Sequence, residues 1–556
     1  MAEYETDDPQ AALRAYQADY DARSEAIAQA AAQVPVPPLV DNPPMTADDT
    51  LSYDVTDHEG IPLISSTFEN MSGASVGLAL SLRGVRPDEL IYLALLPQLV
   101  RRVGVVDGRN SVAYPDMVEQ LQNDILSLGA QISSDALTGR IELALSASGT
   151  TPEETAVAID WMRRVLYHAD WRAENLPRLR DVVDESLSRL RRTTQGREEA
   201  WVNDPALALR YQHDPLYLAS ESFMTRTHSV RRLRWLLTEC DRDCAVAMGA
   251  FISRLERRGH GLDRDGVVAV LDSVDLQPLE APLHPLAEAV VEDLRLTLGD
   301  VPDDSLSDDW TMLCDQIRQD LSTAPTATLS ALNRLRERLL RADGARLYAV
   351  GSSDTLTWLS GSIEGLTAGL DRDGRTDAFP HDTTPRVTAR LARRLDTAIT
   401  PTYVGLINPD TQGGVFLHSA PVVSYTTFDE TAGDEPLLDF LAGRMYGGGG
   451  AHSLFMKTWS AGLAYSNGVR ADARSGTLRY YAERCPELQQ TMRFVIGELS
   501  GVESDPDLAD YAMAQVFESR ASRRYETRAA GIAQDLADGR APERIRAFRE
   551  AILALR

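Results

Sequence analysis

Along residues 76–82 and again along 141–145 the hydrophobic pattern repeats every second position, and each stretch runs into a helix that opens in the same manner. Val76, Leu78, Leu80 and Leu82 form a half-buried strand pattern, after which Pro87, Asp88 and Glu89 start a strongly apolar helix through Val100. Ile141, Leu143 and Leu145 form the second strand pattern. Thr151-Pro152-Glu153-Glu154 follows with a cap, a proline at the first helical position and a glutamate three residues after the cap. A later helix carries Leu176, Leu179, Val183, Leu187 and Leu190 on one face.

Residues 9–33 are alanine-rich and predict a helix, and the Pro-rich residues 34–44 predict an extended connector. Residues 229–340 read as mostly helical, broken by a proline-bearing loop at 276–285; residues 346–350 fit a buried strand. Residues 371–385 are a linker pattern, and a strand at 403–407 opens a second α/β unit. Within it, residues 476–482 and the helix after Pro486-Glu487 repeat the earlier order of strand, Pro-Glu helix start and amphipathic helix, which points to duplication. The expected architecture is therefore α/β (α+β): a helical and Pro-rich linker over 1–50, a first unit over 51–375 with a helical insertion, and a related second unit over 386–556.

Composition narrows the function. No apolar run approaches the ~18–20 residues that cross a bilayer, and the acidic opening MAEYETDDPQ is unlike a signal peptide, so a cytoplasmic, membrane-free protein is expected. A net charge of −27 repels nucleic acid. Lys457 is the sole lysine, and this acid-rich, lysine-poor balance also suits a salt-rich cytoplasm. Cys240, Cys244, Cys314 and Cys485 are too few for a disulfide framework; buried thiols in a reducing compartment are expected. No two histidines fall within one helical turn, the nearest pair being His213 and His228, so a helical His-x-x-x-His metal site is absent. The run 447–450 lacks the Gly-Lys-Ser/Thr ending of a phosphate loop.

Several segments, taken in order, resemble the C-terminal half of pitrilysin (insulinase) family peptidases, most closely the presequence-protease branch. They are residues 92–96 (YLALL), Tyr114, residues 128–133 (LGAQIS), residues 403–405 (YVG), the glycine run and residues 462–465 (GLAY). The resemblance spans residues 10–556. It implies two related domains, each a mostly antiparallel sheet packed with helices, forming half of a chamber that encloses unfolded peptides. The zinc, bound through His-x-x-Glu-His in this family, would sit in a partner half, so this chain holds no cofactor and pairs as a heterodimer with a zinc-motif-bearing chain.

By the same resemblance Tyr465 occupies the place of a tyrosine whose hydroxyl hydrogen-bonds the substrate carbonyl as it becomes tetrahedral. Gly447, Gly448, Gly449 and Gly450 are either a substrate-admitting loop, as in the non-catalytic subunit of mitochondrial processing peptidase, or a sharp turn. The family's arginine six or seven residues before the tyrosine is missing, Trp459 and Thr458 standing there. Lys457 and Arg470 are the cations near enough in sequence to replace it. His418 and His452 read as surface or packing residues. Two other readings stay open: an inactive structural subunit, and the C-terminal part of a longer single-chain peptidase.

Overall fold

The computed structural model describes the chain except residues 1–7, 33–41, 48–52, 195, 197–200, 202, 376–377, 396–412, 449, 451, 502–505, 519–524 and 556. The strand expected at 403–407 and Gly449 therefore lie outside the described residues. Helix α1 (Pro9–Ala32) occupies the alanine-rich segment. Residues 42–47, the end of the expected linker, dock on the far end of the chain: Met45 and Ala47 join the second unit's core. There the fully buried Arg549 donates to the Pro44 and Thr46 carbonyls.

The first unit holds strands β1 (Asp54–His58), β2 (Ile61–Thr67), β3 (Ala74–Ser81), β4 (Val105–Asp107), β5 (Asn110–Val112), β6 (Ser127–Asp135), β7 (Arg140–Gly149) and β8 (Arg346–Gly351). Six of them form one sheet in the order β1-β2-β8-β3-β7-β6, while β4 and β5 make a separate hairpin. Within that sheet only β2 and β8 run parallel. The second unit's sheet is antiparallel throughout, in the order β10-β11-β9, from β9 (Gly414–Pro421), β10 (Ser466–Asp472) and β11 (Thr477–Cys485).

Helices cover these sheets where the apolar side chains point. The expected helix over 87–100 is two pieces, α2 (Leu90–Leu93) and α3 (Leu96–Arg101). Pro97 lacks the N–H that would bond the Leu93 carbonyl, so the helix stops and restarts. After α4 (Tyr114–Asp124) comes α5 (Pro152–His168), capped as its sequence predicts, with Thr151 Oγ1 accepting from the Glu154 N–H. Ala158, Met162 and Val165 of α5 join Leu78, Leu80, Leu143 and Leu145 in the main core, all at most 1% exposed. Residue burial at this level contributes about 1.5–3 kcal/mol per large side chain. Helices α6 (Leu176–Thr194), α8 (Pro215–Glu221) and α9 (Phe223–Leu236) extend this core, while α7 (Asn203–Arg210) buries none of its residues.

Helices α10 (Arg242–Gly259), α11 (Arg264–Asp272), α12 (His284–Leu298) and α13 (Leu306–Leu321) build a second, all-helical core around Trp310, Phe251 and Leu294. The chain returns to the sheet through α14 (Pro325–Leu339) and leaves it through α15 (Ser353–Trp358), α16 (Ser360–Thr367) and α17 (Arg386–Leu395). The second unit adds α18 (Glu435–Met445), α19 (Leu454–Ser460), α20 (Leu488–Ser500), α21 (Pro506–Ala514), α22 (Tyr525–Ala537) and α23 (Pro542–Ala554).

Two expectations need correction. Strand β3 is buried on both faces rather than one. Tyr348 lies so close to Gly77 that a Cβ there would meet its ring at 1.9 Å. Beside it, Ile532 and Ala533 of α22 pack on Ile64 of β2. Cys240 and Cys244 are a disulfide, not buried thiols. Cys240 sits just before the helix cap Asp241, and the turn brings the two Cα atoms to 5.2 Å, within disulfide reach. The cysteine count thus gives no support to a reducing compartment. Cys314 and Cys485 are buried free thiols, and burial pushes Cys314 up to about 12.

The duplication is visible in the strand pairing. β7 pairs antiparallel with both β6 and β3 and leads into α5, which starts at Pro152; β11 pairs antiparallel with both β10 and β9 and leads into α20, which starts only at Leu488, two residues after the expected Pro486 start. Both hairpins turn through Asp-Ala-x-Thr/Ser-Gly, residues 135–139 and 472–476. Asp135 accepts from the Leu137 and Thr138 N–H groups, Asp472 from the Arg474 N–H, and Gly139 and Gly476 take φ values of +66° and +59°.

These two turns meet. Arg540 donates to Asp135, Asp535 and Asp538, and Arg474 makes a two-pronged pair with Asp535. Asp538 also takes Arg140, which shares Glu142 with Arg346, and Arg346 reaches the Ala533 carbonyl. Four arginines and four carboxylates are thereby neutralised at the junction, with Asp538 only 1% exposed. Burial pushes the Asp135 carboxyl up, but Arg540 and Thr138 outweigh this and hold it below its usual value. Arg346 and Arg140 do the same for Glu142 against its burial.

Replacing Asp538 by Ala leaves the buried cluster one carboxylate short, with Arg140 held only by Glu142 and Arg540 by Asp135 and Asp535, and should cost about 3–5 kcal/mol in urea unfolding. Asp19→Ala, which removes an exposed helix pair, should cost less than about 0.5 kcal/mol. Asp135 and Glu142 titrate lower folded than unfolded, so their contribution is complete above about pH 5, beyond both unfolded values, and is lost as pH falls through the folded values. Unfolding midpoints measured from about pH 6 downward should therefore decline below about pH 5.

Candidate functional site

Tyr465 stands at the entrance to β10, and its backbone is fixed from three sides. Gly462 turns the chain out of α19 at φ +69°, and the buried Leu463 donates to the Thr458 carbonyl and accepts from Thr491 Oγ1 of α20. The Tyr465 N–H donates to the Glu483 carbonyl of β11 at 3.2 Å. Its side chain is nevertheless 66% exposed. A rigidly placed phenol is thus presented outward, as a hydrogen-bond donor aimed away from the core.

Beside it lies a cation that no neighbouring sequence position supplies. Between Ala482 and Cys485 the pairing of β11 with β9 shifts register, and in that bulge Arg484 adopts φ +51°. The bulge sets the Arg484 guanidinium 4.8 Å from the centroid of the Tyr465 ring. A non-glycine residue held at positive φ costs on the order of 1 kcal/mol or more, and such sites concentrate where a side chain must be aimed. Nothing in the local sequence pattern marks this residue, because the contact crosses from one strand to the next.

The two cations singled out by sequence are placed elsewhere. Lys457 Nζ donates to Glu498 of α20 at 2.7 Å, which ties α19 to α20. Arg470 is exposed on β10 opposite Arg479, five residues along from Tyr465, or about 16 Å at ~3.3 Å per residue. The structure therefore groups Tyr465 with Arg484, and Arg470 with Arg479.

The sheet's two faces divide as alternation requires. Asn467, Ala471, Tyr480 and Ala482 are buried toward the helices, and burial pushes the Tyr480 phenol up to about 12. Its neighbour Tyr481 faces the other way, half-buried, over Gly468. That outer face, carrying Ser466, Arg470, Arg479 and Tyr481, meets the first unit at the turn end of β11. There Arg210 of α7 donates to Thr477 Oγ1, and Arg479 donates to Asn203.

The glycine run folds back on its own domain. Gly448 has φ +77°, and a Cβ there would meet the Tyr511 hydroxyl at 2.3 Å. Gly447 closes on the Val469 carbonyl, and Gly450 lies against the His452 ring, which packs edge-on to Tyr511 at 4.8 Å. Ser453 then caps α19 through the Met456 N–H. His418 is exposed on β9 opposite Tyr480. Among the described residues no group of three His, Cys, Asp or Glu side chains is placed to hold a metal, and no helix is long and apolar enough to cross a membrane.

No protein-family model and no curated protein sequence matches the chain. Solved structures similar to it include a protease from Helicobacter pylori, at 10% identity, covering 91% of this chain and 94% of that one, with a TM-score of 0.46. A conserved protein from Enterococcus faecalis V583 is similar at 11% identity, 90% and 96% coverage and a TM-score of 0.45. A peptidase M16 inactive domain from Pseudomonas fluorescens is similar at 10% identity, 91% and 92% coverage and a TM-score of 0.44. These are likenesses in the course of the chain, too distant to carry residue roles across.

The packing of Gly448 gives a direct check. Gly448→Ala combines positive φ with a steric clash and should destabilise the second unit by about 1–3 kcal/mol. Adding Tyr511→Phe, which removes the clashing oxygen, should restore part of that loss in thermal unfolding. An unchanged melting temperature for Gly448→Ala would show that the loop is free of Tyr511.

Proposed function

We propose that this chain is the non-zinc half of a two-chain zinc metalloendopeptidase of the pitrilysin type, and that it offers Tyr465 to a peptide held in its partner's active site. The observation that carries this reading is the pairing of a clamped backbone with an outward phenol at Tyr465, 66% exposed under the Arg484 guanidinium. A side chain with a purely packing role would be buried like Tyr480, at 5% exposure.

The chemistry follows from the donor. As a peptide carbonyl becomes tetrahedral its oxygen gains negative charge, and a prearranged O–H aimed at that oxygen lowers the barrier more than it aids binding. Arg484, lying against the ring, favours negative charge near the hydroxyl and so strengthens the donation. The partner's zinc would polarise the same carbonyl and activate water. Substrates are unfolded peptides, pairing as an added strand on the partner's sheet while the outer face of β9, β10 and β11 closes over them.

A second reading is an assembly subunit without proteolysis. Two contacts favour it: Lys457 is bound to Glu498, and the glycine run is filled by Tyr511 and His452.

Mixing the purified chain with a zinc-motif partner and following a quenched peptide separates the two. Tyr465→Phe should lower kcat about 10²–10³-fold with complex formation unchanged. Arg484→Ala should lower it by a smaller factor. Equal turnover by the partner alone, or by the Tyr465→Phe complex, contradicts catalysis through this chain.

A further inference from the structure

A cavity of about 420 Å³ opens in the first unit between α3, α4 and the start of β6, and none of the chemistry described above uses it. Its size falls within the ~300–1,000 Å³ range of ligand sites. The walls are apolar on one side, where Met117, Leu121, Ile125 and Leu126 line it, and basic on the other, where Arg101 and Arg102 do. No Asp or Glu lines it, in a chain whose acids outnumber its bases 83 to 56.

The basic wall is only partly neutralised. Arg102 is taken by both carboxylate oxygens of Glu185, at 2.7 and 2.9 Å. Arg101 has no acidic partner among the described residues; its Nη1 donates to the Leu128 carbonyl at 2.9 Å and its remaining N–H groups are uncommitted. Behind them Arg178 lies 4.0 Å from the centre of the Tyr114 ring, which lines the cavity, and its buried Nη2 has no hydrogen-bond partner. Arg101, a half-buried guanidinium without a counter-ion, backed by Arg178, whose Nη1 lies 3.9 Å from Asp181, favours an anion in the adjoining space.

The same wall is a sheet edge. β6 pairs with β7 on one side, and no described strand lies on the other. Because the Leu128 carbonyl reaches Arg101, the polar groups of Leu128, and by alternation those of Ala130 and Ile132, point to that open side. The cavity lies at the end of this edge, where Ser127 and Leu128 line it.

We propose that this cavity binds the C-terminus of a peptide whose last residue is apolar. The carboxylate sits on Arg101, the last side chain enters the Met117, Leu121 and Ile125 pocket, and the preceding residues lie along β6 as an added strand. This deepens the reading of the chain as a peptide-holding half by naming which end of the peptide it grips. The experiment uses the full chain without a partner, so its result is independent of catalysis.

Fluorescence anisotropy with a short N-terminally labelled peptide ending in Phe-Leu tests it. The free acid should bind about tenfold or more tightly than the same peptide as its amide, the scale of one charge-assisted pair. Arg101→Ala should lose that factor and no longer distinguish acid from amide. Leu126→Asp, at a position already 60% exposed and therefore safe for folding, should weaken the acid peptide similarly by placing a like charge at the rim. Equal binding of acid and amide overturns the proposal. So does displacement of the peptide by octanoate at equal concentration, which would make the site one for fatty acids. Acid-selective binding combined with normal turnover by Tyr465→Phe would sink the catalytic reading and leave this one standing.

Discussion

The junction of the two hairpin turns at Arg540 is the contact on which the arrangement of this molecule depends. A buried set of four arginines and four carboxylates contributes little net stability over an apolar seam, because each ion loses its hydration. What it imposes is register: each guanidinium fork has a definite carboxylate to meet, and a slipped interface would leave a charge buried alone. The apolar contact of α22 with β2 and β8 lies beside it, so burial and charge pairing fix the same geometry.

From that fixed junction the second sheet runs outward to Tyr465. The hairpin of β10 and β11 has its turn in the ionic seam and its open end at the phenol, so the strand pair transmits position from one to the other. At the open end, the bulge at Arg484 breaks the pairing of β11 with β9, while the pairing of β10 with β11 stays regular, and it sets the guanidinium beside the phenol. The corresponding hairpin of the first unit, β6 and β7, shares the turn but ends beside the cavity at Arg101. One repeated motif thus ends at an exposed phenol in one copy and at a basic, apolar pocket in the other.

Much of this was legible in the sequence where local chemistry decides structure. The Thr151 cap, the strand at β7, the insertion of helices over 229–340 and the repeated strand-to-helix order depend on neighbours within a few residues. β1 and β2 gave no such signal, since Asp-Val-Thr-Asp-His is polar and exposed and pairs only because β2 is buried against β8. The stop at Pro97 was visible as a residue but was masked by the apolar run around it. Lys457 was singled out for its nearness in sequence, whereas Glu498, which holds it, is on another helix. Arg484 was invisible for the same reason, and so was the ionic seam, whose partners lie some four hundred residues apart. Tyr465 could be named from sequence wording, but its exposure required the clamp formed by Thr458, Thr491 and Glu483.

The central claim is that this chain gives a hydroxyl to a reaction whose metal is held by another polypeptide. Metal analysis of the isolated, full-length chain, run alongside a peptide cleavage assay on the same preparation, tests it most directly. The account predicts no bound zinc and no cleavage until the zinc-bearing chain is added. Stoichiometric zinc together with peptide cleavage by this chain alone would contradict it.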